Sequence, residues 1–149
     1  IVLVSQEDIP GRPDDPELCR MLAEQITEGR ERLFVLGADE SAADIKAVIG
    51  LSEFVVASRY HSLVAALSMR VPVAVIGWSH KYDDLMQETG LAEWVVDPVR
   101  RSGEDVQKTV IEAWNQREQI RETLRERVPQ IEEKSRLALE QMLDVIRRL

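Results

Sequence analysis

Arg59 and His61 stand two residues apart in the run Ala57-Ser58-Arg59-Tyr60-His61-Ser62. A guanidinium is a planar fork that grips phosphate or carboxylate, and an imidazole moves protons near neutral pH. Together they could hold a small anion and protonate it. The same spacing has a second reading: Arg59 pairs with a structural carboxylate and His61 caps a neighbouring carbonyl, since ion pairs often serve structure alone. Further along, Gly77-Trp78-Ser79-His80-Lys81 supplies an indole, a second imidazole and an ammonium. His80 and Lys81 could hold a phosphate or form the exposed first turn of a helix. Trp78 could stack on a sugar or a base, or belong to the core. The only two histidines, His61 and His80, lie in different loops without a clustered Cys/His set, so no metal site is expected.

Local elements must position these groups. Phe54 to Ala57 is apolar without alternation, the pattern of a strand covered on both faces. Ser58 is a favourable N-cap, so a helix is expected from Arg59, carrying Leu63, Val64, Ala65, Ala66, Leu67 and Met69 and therefore buried. Val71-Pro72 ends it, because proline pushes the preceding residue out of the helical region. Val73 to Ile76 is the next buried strand. Arg59 and His61 then occupy the first turn of a helix at the carboxyl end of a strand, where free N–H groups attract anions. Tyr60 is expected to point into packing. A charge and an imidazole at the mouth of a buried apolar helix are costly unless they meet a partner.

The flanking sequence alternates in the same way. Ile1 to Val4 reads as a buried strand, followed by a polar loop from Ser5 to Asp15 containing Pro10, Gly11 and Pro13. A helix opens at Pro16 and runs to about Glu28 with Leu18, Leu22, Ala23 and Ile26 on one side. Cys19 lies near that face and reads as a small buried hydrophobe, with no basic partner to make it a nucleophile. Leu33 to Leu36 is the second strand, and Ser41 caps a helix carrying Ile45, Val48 and Ile49. Beyond the central unit, His80 to Thr89 reads as a short helix closed by Gly90, and Trp94 to Val96 as a fifth strand. From Gly103 to Leu149 apolar residues recur at spacings of three and four, between charges such as Glu118 with Arg121 and Glu122 with Arg125. That pattern is long amphipathic helix, with a break or kink expected before Pro129 and with Arg117 interrupting the apolar seam.

Strands alternating with helices imply an α/β fold: a Rossmann-like, doubly wound parallel sheet of about five strands. The order 2-1-3-4-5 puts the crevice where the winding reverses between the loops after Val4 and Ala57. Ser5, Gln6, Ser58, Arg59 and His61 would share that pocket, with Gly77 to Lys81 as its next wall. A dinucleotide site is not expected, since the first strand-to-helix turn has no Gly-x-Gly-x-x-Gly and Gly11 stands alone. A phosphoacceptor receiver domain is not expected either, because Ser58, not an aspartate, ends the third strand. The 149 residues are 44% hydrophobic and carry a net charge of −8, which suits a single core-forming domain and excludes a broad nucleic-acid-binding surface. A lone cysteine suits a reducing compartment, and no run reaches the roughly 20 apolar residues of a membrane span.

Ala57-Ser58-Arg59-Tyr60-His61-Ser62-Leu63, Ala66-Leu67-Ser68, Val71-Pro72-Val73 and Gly77-Trp78-Ser79-His80-Lys81-Tyr82, preceded by Ile45-Lys46 and Ile49, resemble the C-terminal domain of the polysaccharide pyruvyl transferase family. The likeness covers the alternating region and is sharpest from Ile45 to Leu85. It implies a GT-B-type architecture in which 1–102 is one Rossmann-like half-domain, 103–149 forms helices packing on it or on an N-terminal domain, and that N-terminal domain lies upstream of Ile1. The isolated fragment is then expected to be inactive alone.

The implied reaction transfers a pyruvyl group from phosphoenolpyruvate to two hydroxyls of a surface or exopolysaccharide sugar, giving a cyclic ketal. The acceptor rides on a lipid or nucleotide carrier. Phosphoenolpyruvate is the donor substrate and no cofactor is expected. Arg59 is the expected clamp and His61 the expected acid, with Ser58, Gln6, Gly77, Trp78, His80 and Lys81 binding substrate. The helix end disfavours a proton on His61, but the donor carries full charges against about half a charge for the helix. Donor binding is therefore expected to arm the acid. A second donor-binding arginine belongs to the family pattern and has no evident place here. The expected setting is the cytoplasm, or the inner face of the membrane as a peripheral protein. Two other classes remain open: a nucleotide-sugar glycosyltransferase half-domain, which would bind a nucleoside diphosphate, and a non-catalytic anion-binding module.

Overall fold

A computed structural model describes residues 1–6, 15–37 and 39–148. The Pro10, Gly11 and Pro13 of the expected loop, and Leu149, lie outside the described residues. The chain forms two compact units, Ile1–Ala47 and Val48–Leu149.

The first unit holds β1 (Val2–Val4), α1 (Asp15–Gln25), β2 (Phe34–Leu36) and most of α2 (Ala42–Gly50). The strands pair in parallel, Val2 with Phe34 and Val4 with Leu36, and α1 packs on both. This sheet is not buried as expected: Val2 remains 42% exposed and Phe34 63%. Two strands with one packed helix cannot cover both faces. Leu18 and Leu22 are also exposed, whereas Cys19 is buried. Burial and the Asp15 carboxylate push the Cys19 thiol above its ordinary range, as fits a packed hydrophobe and not a nucleophile.

The second unit holds β3 (Val55–Ala57), α3 (Tyr60–Ser68), β4 (Val73–Ile76), α4 (His80–Glu88), β5 (Val95–Val96), α5 (Gly103–Asn115) and α6 (Arg117–Arg147). Its sheet is parallel with β4 in the centre, pairing Ala57 with Val75 and Ile76 with Val96, so the three carboxyl ends lie in line. The strands thus form a two-stranded and a three-stranded sheet, whose neighbours match the 2-1 and 3-4-5 parts of the expected order. Only β4 is the strand buried on both faces that its sequence implied, with Val73, Ala74 and Val75 all at 0% exposure. β3 is an edge, and its Val56 stays exposed.

Three helix readings need correction. α3 starts at Tyr60 with Arg59, not Ser58, as its N-cap. It is amphipathic and not wholly buried: Leu63, Ala66 and Leu67 are in the core, while His61 and Val64 face out. Of the break or kink expected before Pro129, the break is absent: Pro129 sits inside α6, and the helix interruption falls at Gln116. Pro129 and Arg125, whose carbonyl loses its partner, are both on the exposed face, where that carbonyl is open to solvent. The interruption at Arg117 has a structural cause: its guanidinium lies 4.2 Å over the Trp114 ring and also reaches Glu53 Oε1 at 3.4 Å. The expected surface pairs do form, Arg121–Glu118 at 3.6 Å and Arg125–Glu122 at 3.2 Å. α6 buries Ile120, Leu124 and Val128, whereas Leu139, Met142 and Val145 beyond them are exposed.

Candidate functional site

The carboxyl ends of β3 and β4 each lead through a short turn into a helix, and the two turns are tied together. Tyr82, in the first turn of α4, donates its hydroxyl to the Ser58 carbonyl at 3.1 Å. Its ring is buried, and Gly77 makes room for it: a Cβ at residue 77 would stand 2.8 Å from Tyr82 Cγ. Only a residue without a side chain lets β4 end this close to the ring. Burial pushes the Tyr82 hydroxyl above its ordinary range, and the charge of Arg59 works the other way.

Around Tyr82 the aromatic residues form a chain. Tyr60 meets it edge-on at 5.7 Å, Trp78 tilts against it at 5.8 Å, and His61 meets Tyr60 at 6.5 Å. Tyr60 therefore packs as expected. Lys81 Nζ sits 4.8 Å over the Tyr60 ring and 5.5 Å from Tyr82, a cation–π position that fixes an otherwise flexible ammonium. The structure thus gathers Ser58, Arg59, His61, Gly77, Trp78 and Lys81 at one sheet edge. His61 is exposed, so it has no buried imidazole's need for a partner; the geometry, not desolvation, marks it.

His80 goes to the other side of the β4–α4 turn. With Gly77, Trp78 and Ser79 it lines a polar pocket of about 400 Å³, completed by Asp83, Val95, Val96, Asp97, Arg100 and Arg101. The sequence reading missed Arg100 and Arg101. Their only early signal was their place, immediately beyond the carboxyl end of the fifth strand, where α/β ligands bind. Asp97 orders this turn by accepting from the Val99 N–H at 2.8 Å and pairing with Arg100 Nε at 3.2 Å.

Gln6 belongs to the first unit, after β1. Its N–H donates to Asp15 Oδ2 at 3.1 Å, while Gln6 Oε1 and Ser5 Oγ are buried without a hydrogen-bond partner among the described residues. Buried polar atoms are normally satisfied, so these two mark a strand end that could accept a ligand.

The sequence model of the family described as polysaccharide pyruvyl transferase matches residues 3–80, just over half of the chain. The chain belongs to that family. No curated protein and no solved structure matches it. The matched span of this pyruvyl transferase family member takes in both strand-to-helix turns through His80, with Arg59 and His61 inside it; Lys81 is the next residue, and Arg100 and Arg101 lie outside it, past β5. No helix among the described residues is long and apolar enough to cross a membrane.

Proposed function

We propose that this transferase moves the pyruvyl group of phosphoenolpyruvate onto two hydroxyls of a saccharide, forming a ketal. Arg59 clamps the donor's phosphate or carboxylate, helped by Lys81 and by the free N–H groups that open α3. His61 gives a proton to the enol methylene, which makes the neighbouring carbon electrophilic. One acceptor hydroxyl adds to that carbon and releases its proton. Phosphate then leaves with the C–O electron pair, and the second hydroxyl adds and releases its own proton. One of the two protons restores His61, and the other ends on the leaving phosphate. The balance is one donor and two hydroxyls in, one ketal and one phosphate out.

The observation that carries this reading is the array at the ends of β3 and β4, where His61 and Lys81 both contact Tyr60, beside Arg59. Gln6, in the first unit, is proposed as a substrate contact in its own right on the strength of its unpartnered Oε1. The wider proposal makes the chain the C-terminal half of a GT-B-type enzyme with one doubly wound sheet of order 2-1-3-4-5, its helices from 103 onward packing on the half-domain. Support comes from the 2-1 and 3-4-5 pairings already present. The acceptor sugar rides on a lipid or nucleotide carrier, and the single cysteine suits a cytoplasmic setting.

Calorimetry tests the clamp. Phosphoenolpyruvate should bind the chain and lose about tenfold or more in affinity with Arg59→Ala, a loss of 1.4 kcal/mol per tenfold. Unchanged affinity in that variant removes the donor assignment.

A further inference from the structure

The geometry points to a saccharide-binding pocket on the β5 side of the β4–α4 turn, lined by Trp78, His80, Asp83, Asp97, Arg100 and Arg101. The inference rests on the transferase reading and says where the acceptor ring sits. Its volume, about 400 Å³, falls within the range of small-molecule sites.

Charge balance decides the ligand class. Two arginines face two aspartates, so the pocket has no surplus positive charge for a phosphate to neutralise. A sugar hydroxyl both donates and accepts, and needs carboxylates and guanidinium groups close together. The pocket supplies both. Trp78 supplies the other half of sugar recognition. Trp78 is 54% exposed and leans on Tyr82, so it offers apolar surface to the C–H face of a pyranose. Asp97 and Arg100 pair at 3.2 Å, which places a carboxylate beside a guanidinium on the pocket wall. His80 and Lys81 are consecutive in α4, so one reaches this pocket and the other the donor array. The acceptor would therefore approach the donor across a single turn of chain.

Saturation-transfer NMR with methyl hexosides of differing configuration tests the pocket, since it detects weak binding. Transfer to the ring protons of at least one hexoside is expected, and Trp78→Ala and Arg101→Gln should each weaken binding by about tenfold. Phosphoenolpyruvate affinity of Arg101→Gln, read by calorimetry, should stay within about twofold of the parent. No transfer from any hexoside overturns the proposal. So does undiminished transfer in both variants, or displacement of the sugar by millimolar pyrophosphate, which would mark an anion site. If Trp78→Ala lowers the melting temperature, the exposed substitutions Arg101→Gln and Asp83→Asn carry the test. Loss of the Arg59 effect on phosphoenolpyruvate is a separate readout and bears on the donor reading alone.

Discussion

Two kinds of helix start occur in this protein. α2 and α5 close their own. Ser41 Oγ accepts from the Asp44 N–H at 3.2 Å, and Ser102 Oγ accepts from the Asp105 N–H at 3.1 Å while Asp105 Oδ2 accepts from the Ser102 N–H at 3.1 Å. The starts of α3 and α4 have no side-chain cap: Arg59 and Ser79 stand at the N-cap positions without that bond. Orphan N–H groups must find a partner in a side chain, water or a ligand. The self-capped starts are structural. The uncapped starts of α3 and α4 follow adjacent parallel strands and carry the arginine, histidine and lysine of the candidate site, whereas α6, which also lacks a side-chain cap at Gln116, follows directly on α5.

The two imidazoles, both at open helix starts, should differ most in effect. In the full-length protein, His61→Ala should cut phosphoenolpyruvate-dependent ketal formation by about 10²- to 10⁴-fold, the usual weight of a general acid. His80→Ala should act chiefly on the acceptor KM. Normal turnover in His61→Ala would end the acid assignment.

Next in size is Gly77→Val, which places carbon against the buried Tyr82 ring. It should cost about 1–3 kcal/mol in urea unfolding, as overpacking does. Unchanged stability would mean that the two turns are not locked through Tyr82.

Tyr82→Phe removes one hydrogen bond to the Ser58 carbonyl and should cost about 0.5–1.5 kcal/mol at neutral pH. Because the folded state raises the Tyr82 hydroxyl above its ordinary value of 10.0, its contribution is whole below that pH and is lost as pH rises through the folded value. The Phe variant should therefore show a flatter alkaline limb in thermal melts, and an unaltered limb would contradict the assignment.

The smallest contrast lies between two serines. Ser102→Ala should lower the melting temperature, whereas Ser79→Ala, which removes no capping bond, should stay within about 0.5 kcal/mol of the parent. Hydrogen bonds from Ser102 hold the Asp105 carboxyl below its ordinary value of 3.8. That stability is present above the ordinary value and is lost as pH falls through the depressed one. Ser102→Ala should flatten the acid limb, and equal effects of the two serine variants would erase the distinction between closed and open starts.

Much of this was legible in the chain because it is local. Short apolar runs bounded by Gly77, Gly90 and Val71-Pro72 marked strands and helix ends close to where they fall. Ser41 read correctly as a cap from its own neighbours. The exposure of Val64 and His61 was not legible, since an all-apolar helix does not reveal which side lacks a covering layer. Nor was the continuity of α6 through Pro129, where the helix survives because Val128 is buried and the proline faces water. Arg117 looked like a flaw in a seam until Trp114 and Glu53 were brought to it.

The sequence alone determined the parallel strand–helix alternation and the two residue clusters, Ser58-Arg59-Tyr60-His61 and Gly77-Trp78-Ser79-His80-Lys81, that end two of its strands. Which neighbours each cluster meets follows from packing between elements distant in the chain. Consecutive helical residues point about 100° apart, so Lys81 meets Tyr60 while His80 joins Arg100 and Arg101. Those arginines are remote in the chain, and it is the register of β4 against β5 that carries them to the same edge.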